Sequence, residues 1–207
     1  MMKPLVLTTV ACTLLSTMQL HAQSKVGTSV IAGKSVSLFD DGTWQYDQPD
    51  DADSSSCVVI VKDIRFCGDS NKWSRTNSPN AQINAQFQTS DTQYAQFVIE
   101  ELGADQGVTL DLIGEAAVGF AAKASGVPAS ELPILESQAI ELGTLKGRRI
   151  SYSAVVDGRV KLVMINSMFV TPRRTMQIQT YEIGTQSLTE THAVLHREFL
   201  DAVEVSQ

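Results

Sequence analysis

The stretch "GRRISYSAVVDGRVKLVMINSMFVTPRRTMQIQTYEI", residues 147–183, constrains the fold more than any other part of the chain. Apolar, β-branched and aromatic residues dominate it, the composition of strands. Asp157–Gly158 suits a hairpin turn whose two central residues take positive φ. Pro172 with Arg173 marks a second reversal. Together with "ILESQAIELG" (134–143), the stretch predicts four strands over 134–143, 147–156, 159–171 and 173–183. Strands joined so closely pair with their neighbours in antiparallel fashion.

Two helices flank these strands. Leu110, Ile113, Ala117, Phe120 and Ala124 recur at spacings of three and four, with Thr109 as a cap and Gly126 at the end. This predicts a helix over 109–125 that buries that set. A second amphipathic helix is predicted over about 187–204, presenting Leu188, Leu195, Phe199, Ala202 and Val203. Upstream, "AQINAQFQ" (81–88), the turn "TSDT" and "QYAQFVIEEL" (93–102) read as strand, turn, strand. The order is strand, strand, helix, four strands, helix. It implies an α+β fold, an antiparallel sheet covered by helices.

A separate module precedes this domain. Residues 1–22 carry Lys3, an apolar run from Leu5 to Leu20 and a small residue, Ala22, at a cleavage point before Gln23. They read as a secretory signal peptide, too short and too polar-interrupted to span a membrane. Residues 23–47 then hold "SVSLFDDGTWQY", in which Asp41–Gly42 predicts a type I′ turn. That turn sets Phe39 opposite Trp44 and Ser37 opposite Tyr46. Phe39, Trp44 and Tyr46 then share one face, a possible interaction surface. The acidic, Ser-rich "QPDDADSSS" (48–56) reads as a linker, and the main domain is expected over 57–207.

Charge narrows the partners. Loss of Lys3 with the signal takes the formal charge from −7 to −8. An acidic chain is poorly suited to binding nucleic acid through phosphates, or to docking on anionic membranes. Its basic pairs, Arg148–Arg149 and Arg173–Arg174, read as strand ends facing solvent. The mature chain retains two cysteines, Cys57 and Cys67, in a compartment that permits oxidation. A straight strand would hold them about 33 Å apart, whereas a disulfide needs Cα atoms within about 7 Å. Either "CVVIVKDIRFC" folds back near Lys62–Asp63 and the two pair, or they stay apart. The bridge is the expectation, as a structural staple.

The sequence offers little for catalysis. His192 and His196 stand at i and i+4, a spacing that can ligate metal, but "HAVLH" lacks a zinc-protease Glu and there is no third histidine downstream of the signal. Structural histidines are the expectation, with no metal and no cofactor. Nucleophile-elbow, P-loop and dinucleotide fingerprints are absent. Glu100 and Glu101, adjacent on a strand, point to opposite faces. Trp73 sits in a polar turn and is expected to pack rather than to bind.

Two resemblances accompany this reading. Val36, Leu38, Asp41, Gly42, Thr43, Trp44 and Tyr46, with Gln45 at the variable place, resemble a short motif of exported bacterial proteins. The element order over about 75–205, with "ISYSAVVDGRVKLVMINSMFV" and the closing "REFLDAVEV", resembles the PsbP-like superfamily. That superfamily includes the photosystem oxygen-evolving subunit, a Ran-binding nuclear-import factor and the DcrB-like periplasmic proteins. The resemblance implies a non-enzymatic binding or assembly accessory with a protein partner, in the periplasm or secreted from a Gram-negative cell. The alternative reading is a small-molecule carrier with a cavity between the sheet and helix 109–125.

Overall fold

The structure, a computed structural model, describes residues 24–31, 34–46 and 57–206. The signal segment 1–22 and the linker 48–56 fall outside the described residues. Two compact units divide the chain, Met1–Ala52 and Asp53–Gln207.

The first unit is a three-stranded antiparallel sheet, β1 (Lys25–Ile31), β2 (Lys34–Phe39) and β3 (Trp44–Tyr46), in that order. The expected type I′ turn does not form. Gly42 alone takes positive φ, at 79°, and its amide donates to the Phe39 carbonyl (3.1 Å), while the Phe39 amide donates to the Thr43 carbonyl (3.0 Å). This is a three-residue loop closed by a left-handed glycine. Asp41 favours it, because its carboxylate accepts from both the amide (2.9 Å) and the hydroxyl (2.6 Å) of Thr43. The extra loop residue shifts the register by one. Leu38, not Phe39, pairs with Trp44, and Val36, not Ser37, pairs with Tyr46. Phe39 is therefore out of phase with Trp44 and Tyr46. Val36 is buried, and Trp44 is half exposed.

The second unit opens with β4 (Val58–Val61) and β5 (Ile64–Phe66), which reverse at Lys62–Asp63, the fold-back on which the expected bridge depends. Cys57 and Cys67 meet at the open end of this hairpin in a disulfide, with Cα atoms 4.1 Å apart. Replacing both cysteines with serine is expected to lower the unfolding free energy by about 2–3 kcal/mol, since the bridge restricts the unfolded chain. Urea denaturation of the oxidised and doubly substituted proteins measures it.

The elements β6 (Ser74–Thr76), β7 (Ala85–Gln88), β8 (Gln93–Glu100), α1 (Leu110–Ser125), β9 (Ile134–Leu142), β10 (Leu145–Val156), β11 (Val160–Val170) and β12 (Thr175–Ile183) follow. The strands form one antiparallel sheet in the order β6-β7-β8-β12-β11-β10-β9. The four predicted strands are all present. At the β10–β11 hairpin, Asp157 and Gly158 both take positive φ (51° and 66°), as expected there.

The last helix, α2 (Glu190–Asp201), is shorter than expected. The chain leaves it to form β13 (Val203–Val205), which adds to the small sheet in the order β13-β5-β4. Val203 is thus a buried strand residue, not part of a helix face.

Alternation along the central strands decides what covers each face. Ala95, Phe97 and Ile99 of β8, with Met176 and Ile178 of β12, point to one side. There they join Phe66, Trp73, Phe87 and Phe199 in an aromatic core capped by α2 and the small sheet. Trp73 is a core residue at 5 % exposure, edge-on to Phe66. On the other side, α1 packs over β10 and β11 through Ile113, Ala117, Ile150, Tyr152, Ala154 and Met168. Thr109 caps α1 by accepting from the Leu112 amide, and Gly126 ends it in the left-handed conformation. The predicted apolar face of α1 is displaced, however. Phe120 is 70 % exposed, while Gly114 and Ala122 are buried in its place.

Candidate functional site

The exposed Phe120 marks the site. Helix α1 covers β10 and β11 but leaves the neighbouring β12 and β8 open on the same face, and a cavity of about 500 Å³ lies between them. Small residues on the facing side of α1 (Ala116, Ala117, Ala121 and Ala124) do not reach across the gap. The exposed side chains of Leu102, Leu112 and Phe120 also line it. Such a volume is typical of a small-molecule pocket.

The floor is unusual for a sheet face under a helix. Gln96, Gln177 and Gln179 stand where apolar residues would ordinarily pack, and Gln96 and Gln179 are buried. Burying amides costs free energy unless their hydrogen bonds are made. Here they satisfy one another in a row across four strands. Gln86 Nε2 donates to the Tyr181 hydroxyl (2.8 Å) and, more weakly, to Gln96 Oε1 (3.5 Å). Gln96 Nε2 donates to Gln179 Oε1 (2.6 Å), and Gln179 Nε2 to Gln177 Oε1 (3.1 Å). From the other side Asn166 Nδ2 donates to the same Gln177 oxygen (2.8 Å). Burial, with the stacked Tyr94, pushes the Tyr181 phenol up to about 12 against the opposing Gln86 bond, so it stays neutral at physiological pH.

Glu100, Thr175 and Gln177 stand at one end of the cavity, among apolar Val98, Leu112 and Ile113. Strand register places Gln177 beside Val98 and next to the Glu100–Thr175 pair. The Arg148–Asp111 ion pair (3.0 Å) fixes the start of α1 near this end. The bond from the Val155 amide to Ser125 Oγ (3.1 Å) fixes its other end, where Ala121, Ala124, Val156, Leu162 and Met164 line the wall. Burial raises the Tyr152 phenol, which also lines the cavity, so it too stays uncharged.

Other sequence candidates are placed elsewhere. Glu100 lines the cavity, while Glu101 pairs with Arg174 (2.7 Å), so the two acids do diverge. Arg174 also grips Asp63, whose carboxyl that hydrogen bond holds below its ordinary value. His192 and His196 are wholly buried on the opposite face of the sheet. Thr180 Oγ1 contacts both His192 Nε2 (3.0 Å) and His196 Nδ1 (2.9 Å), and Ser167 Oγ contacts His196 Nε2 (2.8 Å). A Ser–His pair is a nucleophile arrangement, but Ser167 and His196 are both fully enclosed and neither lines the cavity. Among the described residues, Cys57, Cys67 and Glu204 lie close enough together to suggest a metal group. The disulfide removes the thiolates such a site would need.

The sequence did not reveal the amide row. Its trace was the alternation of Gln with apolar residues in "YAQFVIE" and "TMQIQTY", which reads equally as a solvated strand face.

The second unit has a PsbP-like α+β fold. Among solved structures, cyanobacterial PsbP from Synechocystis matches with a TM-score of 0.50 at 14 % identity, covering 69 % of this chain and 86 % of that one. LpqN of Mycobacterium tuberculosis, involved in cell envelope biogenesis, matches at 0.46 and 10 %, over 76 % of this chain and 88 % of its own. A Bacteroides thetaiotaomicron protein matches at 0.44 and 10 %, over 70 % of this chain and 45 % of its own, so this chain spans under half of it. No known family profile matches the sequence, and no curated protein sequence does.

Proposed function

We propose that this is an exported, non-catalytic binding protein that receives a largely apolar ligand in the cavity between α1 and the sheet. The carrying observation is the cavity itself, about 500 Å³ and edged by exposed Leu102, Leu112 and Phe120. The core under α2 is densely packed with aromatics, whereas the α1 side is left open by small residues. The disulfide and the N-terminal apolar run support export, and no helix among the described residues is long and apolar enough to cross a membrane. An accessory role through a protein partner belongs to the same proposal, with the half-exposed Trp44 as its contact and Phe39, which the observed register turns to the other face, left out of it.

Titration with N-phenyl-1-naphthylamine, a neutral apolar fluorophore, tests the cavity. Saturable enhancement at one site per chain is expected. Ala121→Trp fills the cavity from α1 and is expected to weaken the probe about tenfold or more, since it occupies the volume the probe would take. Probe binding that is absent, or unchanged in a folded Ala121→Trp protein, removes the proposal.

A further inference from the structure

We propose that the ligand is a neutral amphiphile, an alkyl-type chain bearing an uncharged hydroxyl or carbonyl head, with the head accepting a hydrogen bond from the Gln177 side-chain amide. This rests on the cavity reading above and concerns the chemistry of the same site.

The direction of the amide row carries the inference. Each amide from Gln86 through Gln96 to Gln179 donates its nitrogen to the oxygen of the next, and the row runs into Gln177 Oε1. Asn166 donates to that oxygen as well. Two donors thus hold the Gln177 amide with its oxygen turned into the row. Its nitrogen faces away, with no hydrogen-bond partner among the described residues, and Gln177 lines the cavity. An amide nitrogen carries two donors and no acceptor capacity. The group it recognises is therefore an oxygen with free lone pairs.

Charge decides which oxygen. Glu100 is the one charged residue lining the cavity, and it stands at the Gln177 end, paired in register with Thr175. No Lys, Arg or His lines the cavity. A carboxylate or phosphate head would lose its hydration without gaining a cation, and would sit near a like charge. A neutral hydroxyl, ester or amide oxygen meets neither cost. The opposite end, with Ala121, Ala124, Val156, Leu162 and Met164, offers apolar contact for the chain. A hydrogen-bond donor set among apolar walls is thus suited to an amphiphile's head and chain.

Displacement of the fluorophore by four ligands of equal chain length tests this at pH 7.5, below their micelle concentrations. Monodecanoylglycerol carries a neutral head, decanoate an anion, decylammonium a cation, and decane no head. Monodecanoylglycerol is expected to bind about tenfold tighter than decanoate or decane, as one buried hydrogen bond and one unpaired charge would set. Gln177→Leu is expected to abolish the preference over decane while retaining the fluorophore. Equal or tighter binding of decanoate overturns the inference, as does a preference unchanged in Gln177→Leu. Tightest binding by decylammonium overturns it too and makes Glu100 the anchor. Should the fluorophore itself fail to bind the native protein, the cavity reading fails first, so the two failures are distinct.

Discussion

Phe199→Ala is expected to lower the unfolding free energy by about 3–5 kcal/mol, the range for truncating a fully enclosed phenylalanine. Phe199 is the meeting point of the aromatic core. Its ring centroid lies 4.5 Å from Phe66, 4.8 Å from Trp73, 5.1 Å from Phe97 and 5.8 Å from Phe87. Those partners come from β5, the loop that follows it, β8 and β7, so one side chain joins α2 to both sheets. Truncation leaves a cavity that four rings cannot collapse to fill. Phe199→Leu retains much of the volume and should cost less, about 1–3 kcal/mol. Phe120→Ala is the informative control, because Phe120 is 70 % exposed and its loss should cost at most about 0.5 kcal/mol. Urea unfolding with the disulfide intact gives all three values. A Phe120 effect as large as that of Phe199 would mean that α1 buries the face its sequence pattern suggested, and that the cavity is closed.

The contrast between these two phenylalanines shows where sequence reasoning holds and where it stops. The strand pattern of residues 134–183 was legible because alternation and turn residues are local properties. Asp157–Gly158 behaves as the dipeptide suggests, and the Cys57–Cys67 hairpin forms because the intervening residues favour strands on both sides of Lys62–Asp63. Helix α1 was legible as a helix, with its cap and stop. Its orientation was not, since Phe120 satisfies the same three-and-four spacing as Ile113 and Ala117. A periodic pattern marks an apolar stripe but cannot say whether all of that stripe meets a surface. The same limit applies to Asp41–Gly42, where the bond from the Thr43 amide to the Asp41 carboxylate favours a longer loop and moves Trp44 from Phe39 to Leu38. The amide row needed strand order above all. Gln96 and Gln179 are 83 positions apart, and nothing local says that β8 lies beside β12.

Acidification is expected to destabilise the protein between pH 7 and pH 5, by about 2 kcal/mol through His196, with His192 acting in the same direction. Both rings are fully buried on α2 against β11 and β12. Thr180 has a single hydroxyl proton, so it donates to at most one of the two ring nitrogens against it. Neutral rings satisfy this arrangement. For His196, burial, reinforced by the Arg149 cation and by His192, lowers the pKa to about 3. For His192, burial also dominates and lowers it, against the opposing influence of Glu182, 3.9 Å from Nδ1, and of Thr180. Because the folded-state values lie below the unfolded value of 6.5, the unfolded chain takes up protons first as pH falls. The stabilisation is therefore complete above about pH 6.5 and is lost as pH falls toward the folded-state values, by up to about 1.4 kcal/mol per pH unit for each histidine. Asp63 acts in a separate window. Its pKa is lowered from 3.8 by Arg174, so its contribution is present above that value and disappears only below it. Urea midpoints at pH 7.5 and 5.0 measure the histidine effect. In His192→Gln and His196→Gln the midpoint at pH 7.5 should fall, while the difference between the two pH values shrinks in each. A native midpoint that does not move between pH 7.5 and 5.0 would mean that the rings are charged or hydrated in the folded state, and that burial does not hold them neutral.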